Sequence, residues 1–278
     1  MKTRIITAIV AILIFVPVLV FSNTIIFPIA CGILAMVAAG EILACVGVLK
    51  KWPVSILSLA AVAAAMGSVG YLSRVEGGAD TFQQLLLTFT YVYLFAMLAF
   101  AVFSKGNLPI ADALTVAGMI FYVVFGFASV VLLRETIHGA YIYLLIFLSA
   151  WITDTGAYFT GVFFGKHKLI PDVSPKKTVE GAVGGVITCI VTFVVFGWIV
   201  GAISDLTPHY LRLALVGFVA SIVSMVGDLI ASLLKRKYGV KDYGKLFPGH
   251  GGVMDRFDSV LATAPFLYIL ADLLKLFS

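Results

Sequence analysis

Charge is what this sequence has least of: of its 278 residues only 12% are Asp, Glu, Lys or Arg, while 62% are hydrophobic. A typical soluble domain carries about 25% charged residues, so the shortage excludes that class. A mean hydropathy of +1.11 points the same way. Cysteine is scarce as well. The three copies, Cys31, Cys45 and Cys189, all fall in apolar runs with no CxxC spacing, which indicates neither a disulfide framework nor a zinc site. Behind Lys2 and Arg4 the first apolar run continues to Phe21 without an A-x-A pattern, so a retained first span is expected rather than a cleaved signal peptide. Nor do the runs alternate with polar residues, which excludes barrel strands and leaves helices.

What is there is a series of apolar runs of about 20 residues, the length that crosses a hydrocarbon core of about 30 Å. They predict an all-α, polytopic transmembrane bundle of about nine spans, near 4–21, 25–48, 53–73, 84–104, 109–133, 139–163, 181–202, 211–235 and 259–277. If the N-terminus is cytoplasmic, only Arg74, Arg134, Arg212 and Lys275 of the 19 basic residues fall outside. The positive-inside rule favours that orientation, in the cell (inner or plasma) membrane, with both long polar loops facing the cytoplasm. The net charge of +5 belongs to those loops and suits anionic headgroups or a nucleotide rather than nucleic acid.

Composition divides the chain in two. Residues 1–138 read as a transmembrane scaffold, in which Glu41 and Asp112 are the acids that fall inside predicted spans, either as structural partners of polar groups on other helices or as functional groups. Residues 139–278 read as the catalytic transmembrane region, with cytoplasmic loops at 165–180 and 236–258. Asp154 and Asp228 lie inside its spans, where a carboxylate is costly without a partner, metal or water. Counting back from the helix ends at about 1.5 Å per residue puts both roughly 10 to 14 Å below the cytoplasmic surface, lining a polar cleft. Ser221, Ser224, Asp228, Ser232 and Lys235 recur at helical spacing and form one polar stripe. Helix packing and a snorkelling lysine account for the serines and Lys235, but not for Asp228.

That stripe runs into SLLKRKYGVKDYGKLFPGHGGVMDRFD, from Ser232 to Asp258. Lys235, Arg236, Lys237, Lys241 and Lys245 supply positive charge. The turn at Gly249, His250, Gly251 and Gly252 permits positive φ and close backbone approach to an anion. Asp255 and Asp258, three residues apart, would project from one face if the last helix begins there. Paired carboxylates beside a basic turn suggest a hard divalent cation holding phosphates. Lysines without the acids would be an ordinary positive-inside loop. His250 between turn residues suits a phosphate or leaving-group contact, whereas His138, His167 and His209 carry no specific signal.

The spacing S-x-[LIVMF]-K-R-x4-K-D-x-[GSA]-x2-[LIF]-P-x-H-G-G-x2-D-R-x-D resembles the signature of phosphatidate cytidylyltransferases, or CDP-diacylglycerol synthases. It is matched at every fixed position from Ser232 to Asp258. The D-T-x-A-Y run at Asp154 and the SPKKT-x-EG run from Ser174 are similar to further elements of that family. The resemblance implies a nucleotidyltransferase joining CTP and phosphatidic acid to give CDP-diacylglycerol and pyrophosphate in phospholipid biosynthesis. Its cofactor would be Mg²⁺, alone or with a second cation. It assigns Asp228 and Asp255 to metal, with Asp258 as a further ligand or as a partner of the ligands, and these three with Lys235 to catalysis. Substrate contacts are expected from Asp154, Ser174, Lys176, Lys177, Thr178, Ser232, Arg236, Lys241, His250, Gly251, Gly252 and Arg256. Gly181 and Gly185 form a small-xxx-small pair suited to close packing within one chain or across a homodimer. The main alternative is a polytopic transporter with an intramembrane acidic site, which commonly shows internal repeats; none is evident. The D-G-x2-A-R pattern of CDP-alcohol phosphotransferases is absent.

Overall fold

The computed structural model describes residues 2–75 and 77–278, with the side chains of 2–6, 8, 79, 80, 83 and 272 outside the description. The charges expected at Lys2 and Arg4 therefore lie outside it. Of the described residues 76% are helical, as the apolar runs require. The helices are α1 (Lys2–Val20), α2 (Ile26–Cys45), α3 (Trp52–Leu72), α4 (Gly78–Phe103), α5 (Ile110–Glu135), α6 (Gly139–Ile142), α7 (Leu144–Phe164), α8 (Val179–Ile203), α9 (Tyr210–Lys237) and α10 (Met254–Leu274). Among the described residues seven spans are long and apolar enough to cross a membrane, α6 and α7 together making one of them; α1 and α10 are not among the seven. Large apolar side chains such as Leu13, Ile33, Phe103, Val183, Trp198 and Leu211 are exposed along the helices, a surface that needs lipid around it.

The loop expected over 165–180 is instead a hairpin. Strands β1 (Lys168–Ile170) and β2 (Ser174–Thr178) pair antiparallel, with Lys168 opposite Thr178 and Ile170 opposite Ser174. Strands this short, rich in lysine and carrying Pro175, give little apolar alternation for a sequence reading to find.

Backbone contacts divide the chain into two compact units, Met1–Leu132 with Lys237–Phe257, and Leu133–Arg236 with Asp258–Ser278. The division differs from the one drawn by composition: most of the polar segment after α9 packs with the N-terminal helices. In the first unit α3 packs on both α2 and α4, around Phe27, Ile42, Leu43 and Met97. In the second, α7 and α8 form the closest helix pair. A Cβ added at Gly181 would stand 2.7 Å from the Ala157 carbonyl, and one at Gly185 would stand 2.8 Å from that of Thr153. The small-xxx-small pair thus closes a contact within the chain. At the far end of this unit, Arg212 Nη1 donates to the carbonyls of Leu274 (2.9 Å) and Lys275 (3.0 Å), satisfying acceptors that the end of α10 leaves open.

Candidate active site

In the second unit Asp154, Lys177 and Asp258 come near the charged groups of α9. The stripe predicted there is real: Ser221, Ser224 and Ser232 are buried and Asp228 and Lys235 half-buried. Gly227, unremarked in the sequence, lets α10 close on α9 beside Asp228. A Cβ there would lie 2.5 Å from that of Ala262 and 2.9 Å from the Asp258 carbonyl, and Ser259 Oγ donates to Ser224 O at 3.1 Å. Asp258 is 7% exposed and accepts from Ser259 N at 2.7 Å. Its nearby like charges are Asp228 and Asp154, and its nearby opposite charge is Lys235. Asp154 itself is exposed on α7.

From the hairpin, Lys177 Nζ reaches Asp228 Oδ2 at 2.5 Å, with both side chains less than a quarter exposed. The hairpin that delivers it is fixed at its base. Glu180 accepts from the backbone N–H of Lys166 (3.0 Å) and His167 (3.2 Å) and pairs with His167 Nδ1 at 2.6 Å. His167, which carried no signal in the sequence, is therefore part of a latch. Thr178 is the N-cap of α8, its Oγ1 accepting from Gly181 N at 3.1 Å. Ser174 is half-buried, while Lys176 and Arg236 are exposed.

In the first unit the glycine turn is built around two carboxylates. Phe247 N donates to Gly251 O (2.9 Å) and His250 N to Phe247 O (2.8 Å). Gly251 takes φ +87°, a conformation open to glycine and strained for other residues. Asp255 Oδ2 accepts from Tyr243 N at 2.8 Å and Gly252 N at 2.9 Å. Buried Glu41 accepts from Val253 N at 3.0 Å and Met254 N at 2.9 Å. The anions held by these amides are thus the protein's own. Arg256 Nε donates to His250 O at 2.8 Å, and Lys241, Lys245 and Arg256 are exposed. Asp112, the other acid inside a predicted span of the N-terminal half, accepts from Tyr238 Oη at 2.8 Å and so has a structural partner.

Among the described residues no three His, Cys, Asp or Glu side chains gather closely enough to hold a metal ion. Asp228 and Asp258 belong to the second unit. Asp255 belongs to the first unit and has Oδ2 engaged by two amides. Asp228 and Asp258 do fit a hard cation: both offer carboxylate oxygen, and with Asp154 they outnumber the neighbouring lysines. A cleft of about 780 Å³ lies elsewhere, lined by apolar residues of α2 and α3 and one charged residue, Arg74; none of the predicted site residues lines it.

The model of the cytidylyltransferase family matches residues 2–274. The chain belongs to that family. As a cytidylyltransferase it is a nucleotidyl-transferring enzyme, and its helices make it a multi-pass membrane protein. It is similar to proteins named phosphatidate cytidylyltransferase from Staphylococcus haemolyticus (36% identical over 270 residues), Staphylococcus epidermidis strain ATCC 35984 (37%) and Staphylococcus aureus strain COL (34%). Each match covers 97% of this chain and 98% of the relative. In this family member, the segment from Ser232 to Asp258 contributes Asp258 to one compact unit and the glycine turn to the other.

Proposed function

We propose that the enzyme transfers the cytidylyl group of CTP to phosphatidic acid, releasing CDP-diacylglycerol and pyrophosphate at the cytoplasmic face of the cell membrane. The observation that carries this reading is the end-to-end similarity to relatives named phosphatidate cytidylyltransferase. A phosphomonoester has its second pKa near about 6, so the lipid phosphate is largely ionised at neutral pH and needs no strong base. One of its oxygens forms a bond to the α-phosphorus of CTP, the bond from that phosphorus to the β-bridging oxygen breaks, and pyrophosphate carries away the electron pair.

Repulsion between two polyanions is the barrier the protein must lower. Asp228 and Asp258 would hold Mg²⁺, which supplies charge neutralisation and alignment of phosphate oxygens when bound. Lys177, oriented by Asp228, and Lys235 offer ammonium groups to a phosphate. Ser174, Lys176 and Arg236 add donors, while Thr178 serves by fixing the hairpin as a helix cap. Lys241, His250 and Arg256 are assigned to the nucleotide phosphates or the departing pyrophosphate. The test is purified protein in phosphatidate micelles with α-labelled CTP. Label should enter the lipid with release of pyrophosphate, only with Mg²⁺, and Asp258→Asn should lower the rate by about 10³-fold. Wild-type protein that leaves the lipid unlabelled would overturn the reading.

A further inference from the structure

We infer that Glu41 is a positioning residue of the reaction, fixing the basic turn so that its side chains meet the nucleotide; the inference rests on the function proposed above. The sequence of α2 is apolar on either side of it, and a carboxylate is expensive to bury in such a helix unless it is held. Each of its oxygens has a separate donor, Oε1 the Val253 amide and Oε2 the Met254 amide, 212 and 213 residues away along the chain. Those amides open α10, where the helix dipole favours a negative charge. The turn is shaped to admit the carboxylate. A Cβ at Gly244 would stand 2.2 Å from Glu41 Oε1, and a Cβ at Gly252 would stand 2.1 Å from it. Any side chain at either glycine would displace Glu41 or the turn.

The chain between these glycines carries Lys245 and His250, with Lys241 and Arg256 just outside. Glu41 grips the backbone and leaves the exposed side chains of Lys241 and Lys245 to an external anion, together with the part of the exposed Arg256 guanidinium that does not bond the His250 carbonyl. Glutamine cannot replace it in full. It presents one acceptor oxygen, and its amide nitrogen would face a backbone N–H, so one of the two peptides must turn away. Aspartate retains both acceptors on a shorter arm.

Kinetics with CTP and phosphatidate varied separately test this. Glu41→Gln is expected to raise KM for CTP about 10- to 100-fold, the scale of loss from an ångström of misplacement, with KM for phosphatidate unchanged; Glu41→Asp should recover part of the loss. Equal increases for both substrates, or a kcat falling only with the folded fraction, would overturn the role. Hydrogen exchange on the wild-type enzyme covers a variant that does not fold: CTP should slow exchange at residues 250–256 and phosphatidate should not, and no response to CTP would also sink the inference. Wild-type turnover is the control for the reading itself. Its absence removes the proposed function, whereas an active enzyme indifferent to Glu41→Gln removes only the role of Glu41.

Discussion

The hairpin around Lys177 and the turn around His250 look alike as sequence, each a short basic stretch with glycines nearby, yet they are built in opposite ways. The hairpin commits a side chain: Lys177 is paired with Asp228, and the backbone is fixed by the Glu180 latch and the Thr178 cap. The turn commits its backbone, giving the amides of Tyr243, Gly252, Val253 and Met254 to Asp255 and Glu41, and leaves Lys241, Lys245 and Arg256 exposed. Basic charge with glycine therefore does not say whether amides or side chains remain for a ligand. The accounting of backbone donors decides it.

The sharpest way to break this contrast is Lys177→Met. If the hairpin acts through that one ammonium, kcat/KM should fall by about 10³-fold while the protein still purifies as a folded species; a loss under tenfold would make the pair with Asp228 merely structural. Next comes a pair at the turn. Asp255→Ala strands two amide donors, at about 1 to 3 kcal/mol each, and should lower turnover about 10²-fold. Asp255→Asn keeps an acceptor oxygen and should retain activity within about tenfold of wild type. Equal inactivation by Asn and Ala would show that the charge of Asp255 matters, and would return it to the metal-binding set with Asp228 and Asp258. The smallest effect belongs to Thr178→Ala, which removes a helix cap for about 1 kcal/mol. Thermal unfolding should shift down by about 2–4 °C with turnover nearly unchanged.

Much of this was legible in the chain. The helices fall within a few residues of the apolar runs, apart from earlier starts of α4 at Gly78 and α10 at Met254 and the break at Tyr143 between α6 and α7. The polar stripe on α9 is buried or half-buried along its length. Lys177 does meet one of the intramembrane acids. The hairpin was missed because its strands are three and five residues long, too short for a period to register. The role of Glu41 is not legible in the sequence, because nothing beside it speaks of its partners.

By itself, the sequence determined the class, the spans and the residue types available for phosphate chemistry, because hydropathy and helical spacing are local properties that the backbone converts directly into faces and lengths. Tertiary structure alone decided which carboxylate meets which donor. Glu41 and Val253 are separated by 212 residues, Lys177 and Asp228 lie on different elements, and Gly181 and Gly185 close on carbonyls of α7. A buried charge takes the partner that folding brings to it, and its desolvation cost makes that partner obligatory without naming it in the neighbouring sequence.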